Sequence, residues 1–389
     1  MKVLSNTKPG AVIIEGHVQG LSNTRSLGEA DIPVIVVDKN NCIARYSKYC
    51  RKFFKCPDFQ SDAFADFLAE LGERENLNNW LLLPSNDHAV YTISRHKERL
   101  EKIFKVITPS EKIISQIYNK QNLLTNAEKS GTPYPASWFP VKYDEPVPGN
   151  LQFPVLVKGK FGLNFYKGTG RKAFLIQDAG ELDDLLKKLS SQLPATDLFI
   201  QELIQMNVEN KTLSFCAFCD KGEVKAFWMG KKLREHPVEF GTATLAESVY
   251  VEEVIKPTAH LLKQLNYTGP CEVEFLLDPA DNQYKLIEIN ARTWLWVGLA
   301  KACGVNFALM AYNYVNGIEQ RYPSQYETDK KWKNIFTDIP FSLLAKFKRK
   351  YTSISNGKKG KTIDALWMKN DKRPFFMYPV LIFNFFKNR

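Results

Sequence analysis

The chain has 389 residues, of which 44% are apolar and 24% are charged, as is ordinary for a globular protein of two or three domains. This composition argues against a disordered chain, and the lack of any stretch of about 18 apolar residues predicts no membrane-spanning helix. The N-terminal residues lack the apolar run of a signal peptide, and the seven scattered cysteines predict reduced thiols. Together these features predict a cytoplasmic protein.

The net charge of +11 is concentrated at the C-terminal end of the chain. Residues 330–389 hold 15 Lys and Arg against 3 acidic residues, whereas residues 1–329 hold 38 Lys and Arg against 39 Asp and Glu. A nearly neutral body is therefore followed by a strongly basic extension.

Strand and helix patterns alternate through the first 110 residues. Gly10–His17 is typical of a buried strand, a Gly-rich turn then leads into a helix, and Ile32–Asp38 is typical of a second strand. Residues 61–77 carry apolar side chains at helical spacing, and residues 79–100 repeat the order of strand, polar turn and helix. This alternation predicts one small α/β domain with a parallel sheet.

The middle of the chain predicts a larger mixed domain. A helical stretch over residues 110–130 contains Lys120, a short apolar strand ends in Lys158, and a Gly-punctuated loop follows over Gly159–Arg171. Leu198–Ile204 is typical of a further strand. The remaining predicted elements are strands over 212–251, a helix over 256–265, a long hairpin over 269–294 and a helix over 297–315.

Two alternating arms, CEVEFLLD and QYKLIEINAR, predict an acidic β-hairpin. With a loop over residues 279–283, Glu274 lies opposite Glu288 and Glu272 lies opposite Asn290. The other face is predicted to carry Val273, Phe275, Ile287 and Ile289. Directly opposed Cβ atoms lie about 5 Å apart, so like charges repel there unless a cation lies between them.

A bound Mg²⁺ would explain the opposed carboxylates, because this ion prefers carboxylate and amide oxygens together with phosphate oxygens. A solvated acidic surface is the alternative explanation. Asn290 favours the metal site because Asn is a poor strand former that here lies on the acidic face. Arg292 follows two residues later, where a cation would face phosphate oxygens.

Lys120 and Lys158 are candidates for phosphate contacts. Lys158 ends a strand beside the Gly-rich loop, where its flexible side chain offers a phosphate a point charge. Either lysine taken alone is better explained as an ordinary solvated side chain. Gln201 and Glu202 interrupt the apolar run of Leu198–Ile204, where the backbone offers polar groups to an adenine edge, although an ordinary strand end explains the pattern equally well.

In this order, the segments NKQ, PVLVKGK, QELI, EVEF and IEINAR resemble the ATP-grasp superfamily of carboxylate–amine ligases, and within it the cell-envelope ligases that include D-aspartate ligase. The resemblance covers roughly residues 10–315 and implies an α/β (α+β) chain with an ATP-grasp fold. The implied domains are a small parallel-sheet domain over 1–110, an ATP-grasp domain over 111–320 with a lid over roughly 153–203, and a basic, aromatic C-terminal extension over 321–389.

The resemblance also implies roles for single residues. Lys120 and Lys158 would hold the ATP phosphates, and Arg292 would support the transferred phosphoryl group. Arg234 is similar to an arginine near the substrate carboxylate or acyl phosphate. The implied adenine and ribose contacts are Gln201, Glu202, Leu203, Ile204 and Glu209. The implied ligands of Mg²⁺, or of Mn²⁺ in its place, are Glu274, Glu288 and Asn290.

Three further expectations follow from the same resemblance. Gly159–Arg171 looks like the mobile flap over the phosphates. The N-terminal turn with Gly20, Ser22 and Asn23 would face the acceptor substrate at a helix N-terminus. Asn119 stands before the first lysine where many relatives carry Asp, which we expect to weaken a helper contact.

The implied activity is the activation of a carboxylate by ATP as an acyl phosphate, which an amine then captures as an amide or peptide. A catalytically silent ATP-binding sensor or scaffold is one alternative. The intact set of Glu274, Glu288, Asn290 and Arg292 argues against it. An ATP-dependent carboxylase or carbamoyl-phosphate-type enzyme is another, because it would share this ATP site. The expected partners are a small carboxylate and amine, or a lipid-linked or polymeric cell-envelope precursor.

The basic extension has three explanations. Its mixture of Lys and Arg with Trp, Phe and Ile over residues 330–351, followed by the apolar run Phe375–Phe386, suits an anionic membrane surface at the inner face of the membrane. An arm packed on the body of the protein is the second explanation. Nucleic acid is the third, and we do not expect it as a partner.

Overall fold

A computed structural model describes residues 8–149, 151–205, 212–236, 241–347 and 360–387, and within these ranges the strands form three sheets. The sheets follow one another along the chain, and the C-terminal extension returns to the first and the last of them.

The first sheet is parallel and has five strands in the order β3-β2-β1-β4-β5. Its strands are β1 (Ala11–Ile14), β2 (Val34–Asp38), β3 (Cys50–Lys55), β4 (Leu81–Pro84) and β5 (Lys105–Val106). Its helices are α1 (Val18–Gly28), α2 (Asp62–Arg74), α3 (Asp87–Arg95) and α4 (Lys97–Leu100). The central strands are buried runs of apolar residues, as expected of parallel strands covered on both faces. The predicted parallel α/β unit is confirmed.

The turn after β1 is shorter than predicted. Helix α1 begins at Val18, so Gly20, Ser22 and Asn23 lie inside the helix, and their predicted position in a turn was wrong. The turn is formed by residues 15–17, where Glu15 adopts a φ of +69°. Gly20 permits this arrangement because a Cβ atom there would lie 2.1 Å from the carbonyl oxygen of Glu15.

Two helices and a small antiparallel sheet form the next part of the chain. The helices are α5 (Glu111–Tyr118) and α6 (Lys120–Ser130). The sheet has the strand order β6-β9-β7-β8 and comprises β6 (Ser137–Trp138), β7 (Val155–Gly159), β8 (Ala173–Ile176) and β9 (Leu198–Glu202). Its helices are α7 (Gly162–Thr169) and α8 (Ala179–Leu189).

The Gly-punctuated loop predicted over Gly159–Arg171 is mostly helix α7, so that prediction was wrong. The helix ends at Gly170, whose φ of +69° forms a left-handed cap. Phe165 is buried and holds the helix on strand β7, where a Cβ atom at Gly159 would lie 2.1 Å from the Phe165 Cβ. The first glycine therefore serves close packing.

The largest sheet has seven strands in the order β14-β13-β10-β11-β12-β15-β16. These are β10 (Leu213–Asp220), β11 (Glu223–His236), β12 (Thr242–Val249), β13 (Gly269–Asp278), β14 (Gln283–Asn290), β15 (Lys331–Lys333) and β16 (Thr362–Asp364). The accompanying helices are α9 (Ile255–Gln264), α10 (Val297–Ala302) and α11 (Phe307–Val315). The last two were predicted as one helix, which Gly304 interrupts with a φ of +101°.

The large sheet carries apolar side chains on both faces. Cys216 and Phe218 pack toward helices α10 and α11 and the first sheet, whereas Phe215 and Ala217 pack toward helices α5, α6 and α9. This arrangement places one edge of the sheet, formed by β13 and β14, beside the start of helix α6.

The C-terminal extension packs on the body of the protein within its described residues. It contributes β15 and β16 to the large sheet and adds helices α12 (Ile335–Phe347) and α13 (Arg373–Lys387). Trp332, Leu366 and Tyr378 are buried. Across the part of the chain that the structure describes, every helix is too short or too polar to cross a bilayer.

Candidate active site

The acidic hairpin has the predicted register. In strands β13 and β14, Glu272 pairs with Asn290 and Glu274 pairs with Glu288. The alternation of apolar and acidic residues was sufficient to predict this pairing, because a slip by one residue would turn the apolar side chains toward solvent.

A β-bulge next to this pairing shifts the rest of the hairpin by one residue. Phe275 lies opposite Leu286, so Ile287 is the additional residue and Leu286 occupies the core in its place. The prediction that Ile287 shares the buried face was therefore wrong. The carbonyl oxygen of Ile287 accepts a hydrogen bond from Lys120 Nζ at 3.3 Å. Bulges often redirect groups beside functional sites in this way.

Lys120 is the first residue of helix α6 and lies over the acidic hairpin. Its Nζ is 3.6 Å from Glu288 Oε2. Asn119 fixes this position by capping the helix, since its Oδ1 accepts from the backbone N–H groups of Gln121 and Asn122. Asn119 thus fulfils the capping role that an Asp would have. The expected weakening of a helper contact stays a prediction.

Lys158 lies at the end of strand β7 and converges on the same place. Its Nζ donates to Gln201 Oε1 at 3.1 Å. Burial and the nearby Lys120 charge lower the pKa of Lys158 to about 8, while the Glu288 carboxylate opposes that shift. The two lysines and the acidic hairpin, which are far apart in sequence, therefore lie within electrostatic reach of one another.

Three carboxylates crowd the acidic face. Burial raises the pKa of Glu274 to about 8 against the attraction of Lys232, and the charges of Glu272 and Glu288 raise it further. Burial also raises the pKa of Glu272, whose oxygens accept from Ser214 Oγ at 2.8 Å and from Asn290 Nδ2 at 3.0 Å. Glu288 remains 41% exposed in the cleft, and although burial opposes the shift, Lys120 holds the pKa of Glu288 below its usual value.

Arg292 joins this face to the first sheet. Its Nε and Nη2 donate to the two carboxylate oxygens of Asp87, each at 2.9 Å, and Nη2 also donates to Asn290 Oδ1 at 3.2 Å. Tyr118 donates to the same carboxylate at 3.0 Å. Although burial acts against it, the Asp87 carboxylate raises the pKa of Arg292.

Comparison with known proteins identifies the fold around these residues. Residues 146–320 match the family model of the carbamoyl-phosphate synthase L chain, ATP binding domain. This part of the chain is therefore similar to ATP-grasp domains. The chain is also similar to acetyl-CoA carboxylase 1 of Oryza sativa subsp. japonica, at 25% identity over 145 residues that cover 36% of this chain and 6% of the carboxylase.

Longer matches extend beyond the ATP-grasp region. D-aspartate ligase of Enterococcus faecium (strain Aus0004) is 24% identical over 252 residues, which cover 61% of this chain and 59% of the ligase. The chain thus spans less than two thirds of that relative. The L-amino acid ligase of Bacillus licheniformis superposes with a TM-score of 0.62 at 14% identity, covering 84% of this chain and 79% of the ligase. N5-carboxyaminoimidazole synthetase of Staphylococcus aureus gives a TM-score of 0.65 at 16% identity, with 91% and 92% covered.

The segment predicted to receive adenine spans the end of strand β9 and the two residues after it. The N–H groups of Glu202 and Leu203 already donate to the carbonyl oxygens of Ala136 and Pro154. The contact of Gln201, Glu202, Leu203 and Ile204 with adenine stays a prediction. Glu209, predicted to contact the ribose, lies outside the described residues.

The donor set fits a magnesium ion that shares its coordination with a nucleotide. Glu274 and Glu288 are opposed, and the Asn290 amide nitrogen lies between Glu272 and Glu288, where it supplies the positive end of a dipole. Ligation by Asn290 would require its amide to turn. Within the described ranges, no group of three His, Cys, Asp or Glu side chains is arranged to hold a metal alone. Phosphate oxygens would complete the coordination, as is usual for Mg²⁺.

Arg234 forms a buried ion pair with the C-terminal extension. Its Nε and Nη2 donate to the two carboxylate oxygens of Asp338 at 2.8 and 2.6 Å. Thr244 and Lys333 contact the same carboxylate. The structure therefore places the Arg234 guanidinium against an internal carboxylate, and its role at a substrate carboxylate stays a prediction.

Three residues of the site were not found from the sequence. Lys232 is on strand β11 with its Nζ 3.4 Å from Glu235 Oε2, and it is attracted by the hairpin carboxylates. Its alternation with Arg234 in GKKLREH is the signal that was available. Asp87 and Ser214 gave weaker signals, since a helix-opening Asp and a strand Ser are common in any α/β protein.

Proposed function

We propose that the chain is an ATP-dependent carboxylate–amine ligase that activates a carboxylate as an acyl phosphate and joins it to an amine. The observation that carries the proposal is the convergence of Lys120 and Lys158 on the paired carboxylates Glu274 and Glu288. Two cations beside two opposed carboxylates match the needs of a magnesium-bound triphosphate.

The charges of the site suit phosphoryl transfer. Such transfer depends mainly on positioning and on neutralising the charge that spreads over phosphoryl oxygens. Lys120, Lys158 and Lys232 supply positive charge around the hairpin, and Arg292 is fixed by Asp87 at one end of it. When bound by Glu274 and Glu288, Mg²⁺ would neutralise phosphate charge between them.

An ATP-dependent carboxylase or carbamoyl-phosphate-type enzyme is the second candidate. The family model and the plant carboxylases favour it, although the carboxylases match over 36% of the chain. D-aspartate ligase matches over 61% of the chain, which supports an amine acceptor. A silent ATP-binding sensor or scaffold is the third candidate, and the two opposed carboxylates and two lysines argue against it.

The substrates we propose are a small carboxylate, such as an amino acid, and an amine, with a lipid-linked or polymeric cell-envelope precursor as the candidate acceptor. D-aspartate ligase and L-amino acid ligase are the relatives whose names support an amino-acid substrate. We further propose that the protein works in the cytoplasm, peripherally at the inner face of the membrane, where such a precursor is reached.

An ADP-release assay with Mg²⁺, ATP and pooled amino acids tests the activity. Turnover that needs both a carboxylate and an amine, with the amide product found by mass spectrometry, supports the ligase. Stimulation by bicarbonate instead supports the carboxylase. ATP binding without turnover in any pool would contradict both enzyme proposals and leave the sensor.

We predict that Glu288→Gln lowers ADP release at least about 100-fold while the chain stays folded, because removal of one group that stabilises the reacting phosphates typically costs this much. Glu252→Gln, at an exposed glutamate outside the site, is the matched control. Circular dichroism checks the fold of both variants. Near-normal turnover of Glu288→Gln would remove the metal assignment.

A further inference from the structure

The C-terminal extension holds half of the large apolar side chains that are exposed in the described residues. Ten such side chains are exposed, and five of them lie beyond residue 330, a small part of the chain. These five are Ile339, Leu343, Trp367, Phe376 and Val380. Exposed apolar side chains gathered in one region mark a contact surface, whereas scattered ones do not.

Four of the five side chains form one pair on each of two helices. Ile339 and Leu343 are one helical turn apart on α12, and Phe376 and Val380 are one turn apart on α13. The helices touch where the Phe336 ring lies 5.0 Å from that of Phe375. The Trp367 ring lies 6.2 Å from the Phe376 ring and continues the surface. We call these five side chains the apolar patch.

The three acidic residues beyond residue 330 are aspartates engaged by internal contacts, whereas Glu327 and Asp329 just before them are exposed. Asp338 pairs with Arg234, and Asp371 pairs with Arg25, each Asp side chain being 1% exposed. Asp364 accepts from the backbone N–H groups of Leu366 and Trp367. Exposed cations of the same segment are Lys361, Lys369, Lys372 and Arg373, and Lys372 Nζ lies 5.7 Å from the centroid of the Trp367 ring. The described residues beyond 330 therefore expose both apolar and basic side chains.

We propose that the apolar patch is a membrane-binding surface that docks on a bilayer containing anionic lipid. The apolar side chains would enter the boundary between head groups and acyl chains, and the surrounding cations would contact lipid phosphates. A second copy of the chain fits less well because it would bring the same positive charge to the contact. Nucleic acid fits less well because Ile339, Leu343 and Val380 offer no ring for a base to stack on.

This surface depends on contacts of the extension alone and does not rest on the ligase activity. The ion pairs Asp338–Arg234 and Asp371–Arg25 hold the apolar patch on the part of the protein that carries the proposed ATP site. Membrane docking would thus bring the proposed ATP site to a lipid-linked substrate, in line with the proposed location at the inner face of the membrane.

Co-sedimentation of the full chain with vesicles tests the docking surface. We expect binding to phosphatidylcholine vesicles that contain phosphatidylserine, and at least about five-fold weaker binding to phosphatidylcholine alone. Leu343→Ser should weaken binding about five-fold, since a half-exposed leucine loses its burial in lipid. Leu175→Ser is the matched control, because Leu175 is 48% exposed and Leu343 is 51% exposed. Lys372→Ala should also weaken binding about five-fold, and only to anionic vesicles.

Several outcomes would overturn the proposal. Equal binding to both vesicle types would remove the role of the cations, and equal effects of Leu343→Ser and Leu175→Ser would remove the patch. Dimers in lipid-free light scattering that Phe376→Glu converts to monomers would assign the patch to self-association. ADP release on soluble substrates should be unchanged in Leu343→Ser, so failure of docking and failure of the ligase activity are separable.

Discussion

Lys158 shows how one side chain connects burial, charge and nucleotide binding. Its Nζ is held by Gln201, and burial with the nearby Lys120 lowers its pKa to about 8. A triphosphate placed between the two lysines would reverse this shift, because an opposite charge favours the protonated form. ATP should therefore bind together with a proton when the pH is above about 8.

The first prediction concerns this coupling. Below pH 8 Lys158 is already protonated, so affinity for ATP does not depend on its proton; above pH 8 affinity should fall by about ten-fold per pH unit. Lys158→Arg stays charged throughout and should lack this fall. ATP binding is measured by calorimetry in the absence of metal, because the pKa of Glu274, a proposed metal ligand, is also about 8.

The difference between the wild-type and Lys158→Arg profiles isolates the lysine from Glu274. Lys256→Met, at an exposed position of helix α9, is the control and should follow the wild-type profile. Parallel wild-type and Lys158→Arg profiles would show that the lysine proton is not coupled to ATP.

The second prediction concerns the residue before Lys120. Asn119 caps helix α6, since its Oδ1 accepts from the backbone N–H groups of Gln121 at 3.0 Å and Asn122 at 3.2 Å. Asn119→Ala should lower the free energy of unfolding by about 1 kcal/mol, whereas Asn119→Asp should keep the cap and change stability by only a few tenths of a kcal/mol. Urea denaturation measures both.

Asn164→Ala, at an exposed position inside helix α7, provides the control for loss of an asparagine amide. It should not destabilise the chain, because Ala has the higher helix propensity. Equal stabilities of Asn119→Ala and the wild type would mean that the cap does not hold helix α6.

At the scale of elements, the sequence was sufficient to predict the acidic hairpin, because residues close together in the chain determine its strand faces and its turn. Alternating apolar and acidic residues determine the face of each strand, and a short polar turn sets the pairing of Glu274 with Glu288. The bulge at Ile287 was not predictable, since it depends on the packing of Leu286 in the core and on the hydrogen bond from Lys120 to the Ile287 carbonyl.

The partners of the site come from elements that are distant in sequence. Asp87 reaches Arg292 across 205 residues, and Asp338 reaches Arg234 across 104 residues. No periodicity encodes such pairs, because they depend on how sheets pack together. The same limit explains why helix α7 was mistaken for a loop: its glycines were visible, but the packing of Phe165 on Gly159 was not.

The third prediction concerns the contact between helix α12 and strand β11. Asp338→Ala would leave the buried Arg234 and Lys333 without their shared carboxylate, and we expect the free energy of unfolding to fall by about 3–5 kcal/mol. Asp184→Ala, at an 86% exposed aspartate, is the control and should stay within about 0.5 kcal/mol of the wild type.

A double-mutant cycle with Arg234→Ala identifies the pair. The two changes should be non-additive by more than about 1 kcal/mol, because each removes the same interaction. Additive effects in urea denaturation would show that Arg234 and Asp338 contribute independently, and would leave the arginine available for a substrate carboxylate.

At the scale of the whole molecule, the C-terminal extension ties the first sheet to the last. Strands β15 and β16 continue the large sheet, and the segment after them returns to helix α1. There Asp371 accepts from Arg25, from Ser47 and from the Lys48 N–H, while Arg25 also donates to the Leu366 carbonyl. Since Arg292 already links the large sheet to Asp87, two side-chain connections join the first sheet to the rest of the chain.

The last prediction tests the connection through Asp371. Asp371→Ala should lower the free energy of unfolding by about 3–5 kcal/mol, because it leaves the guanidinium of Arg25 buried without a carboxylate. Hydrogen-exchange mass spectrometry should show loss of protection in helix α1 and in strand β16 together, since the contact joins them. Lys369→Ala, at an exposed residue nearby, is the control and should leave both elements protected. If helix α1 alone lost protection in Asp371→Ala, the extension would be held by its sheet contacts and would not tie the two ends of the molecule together.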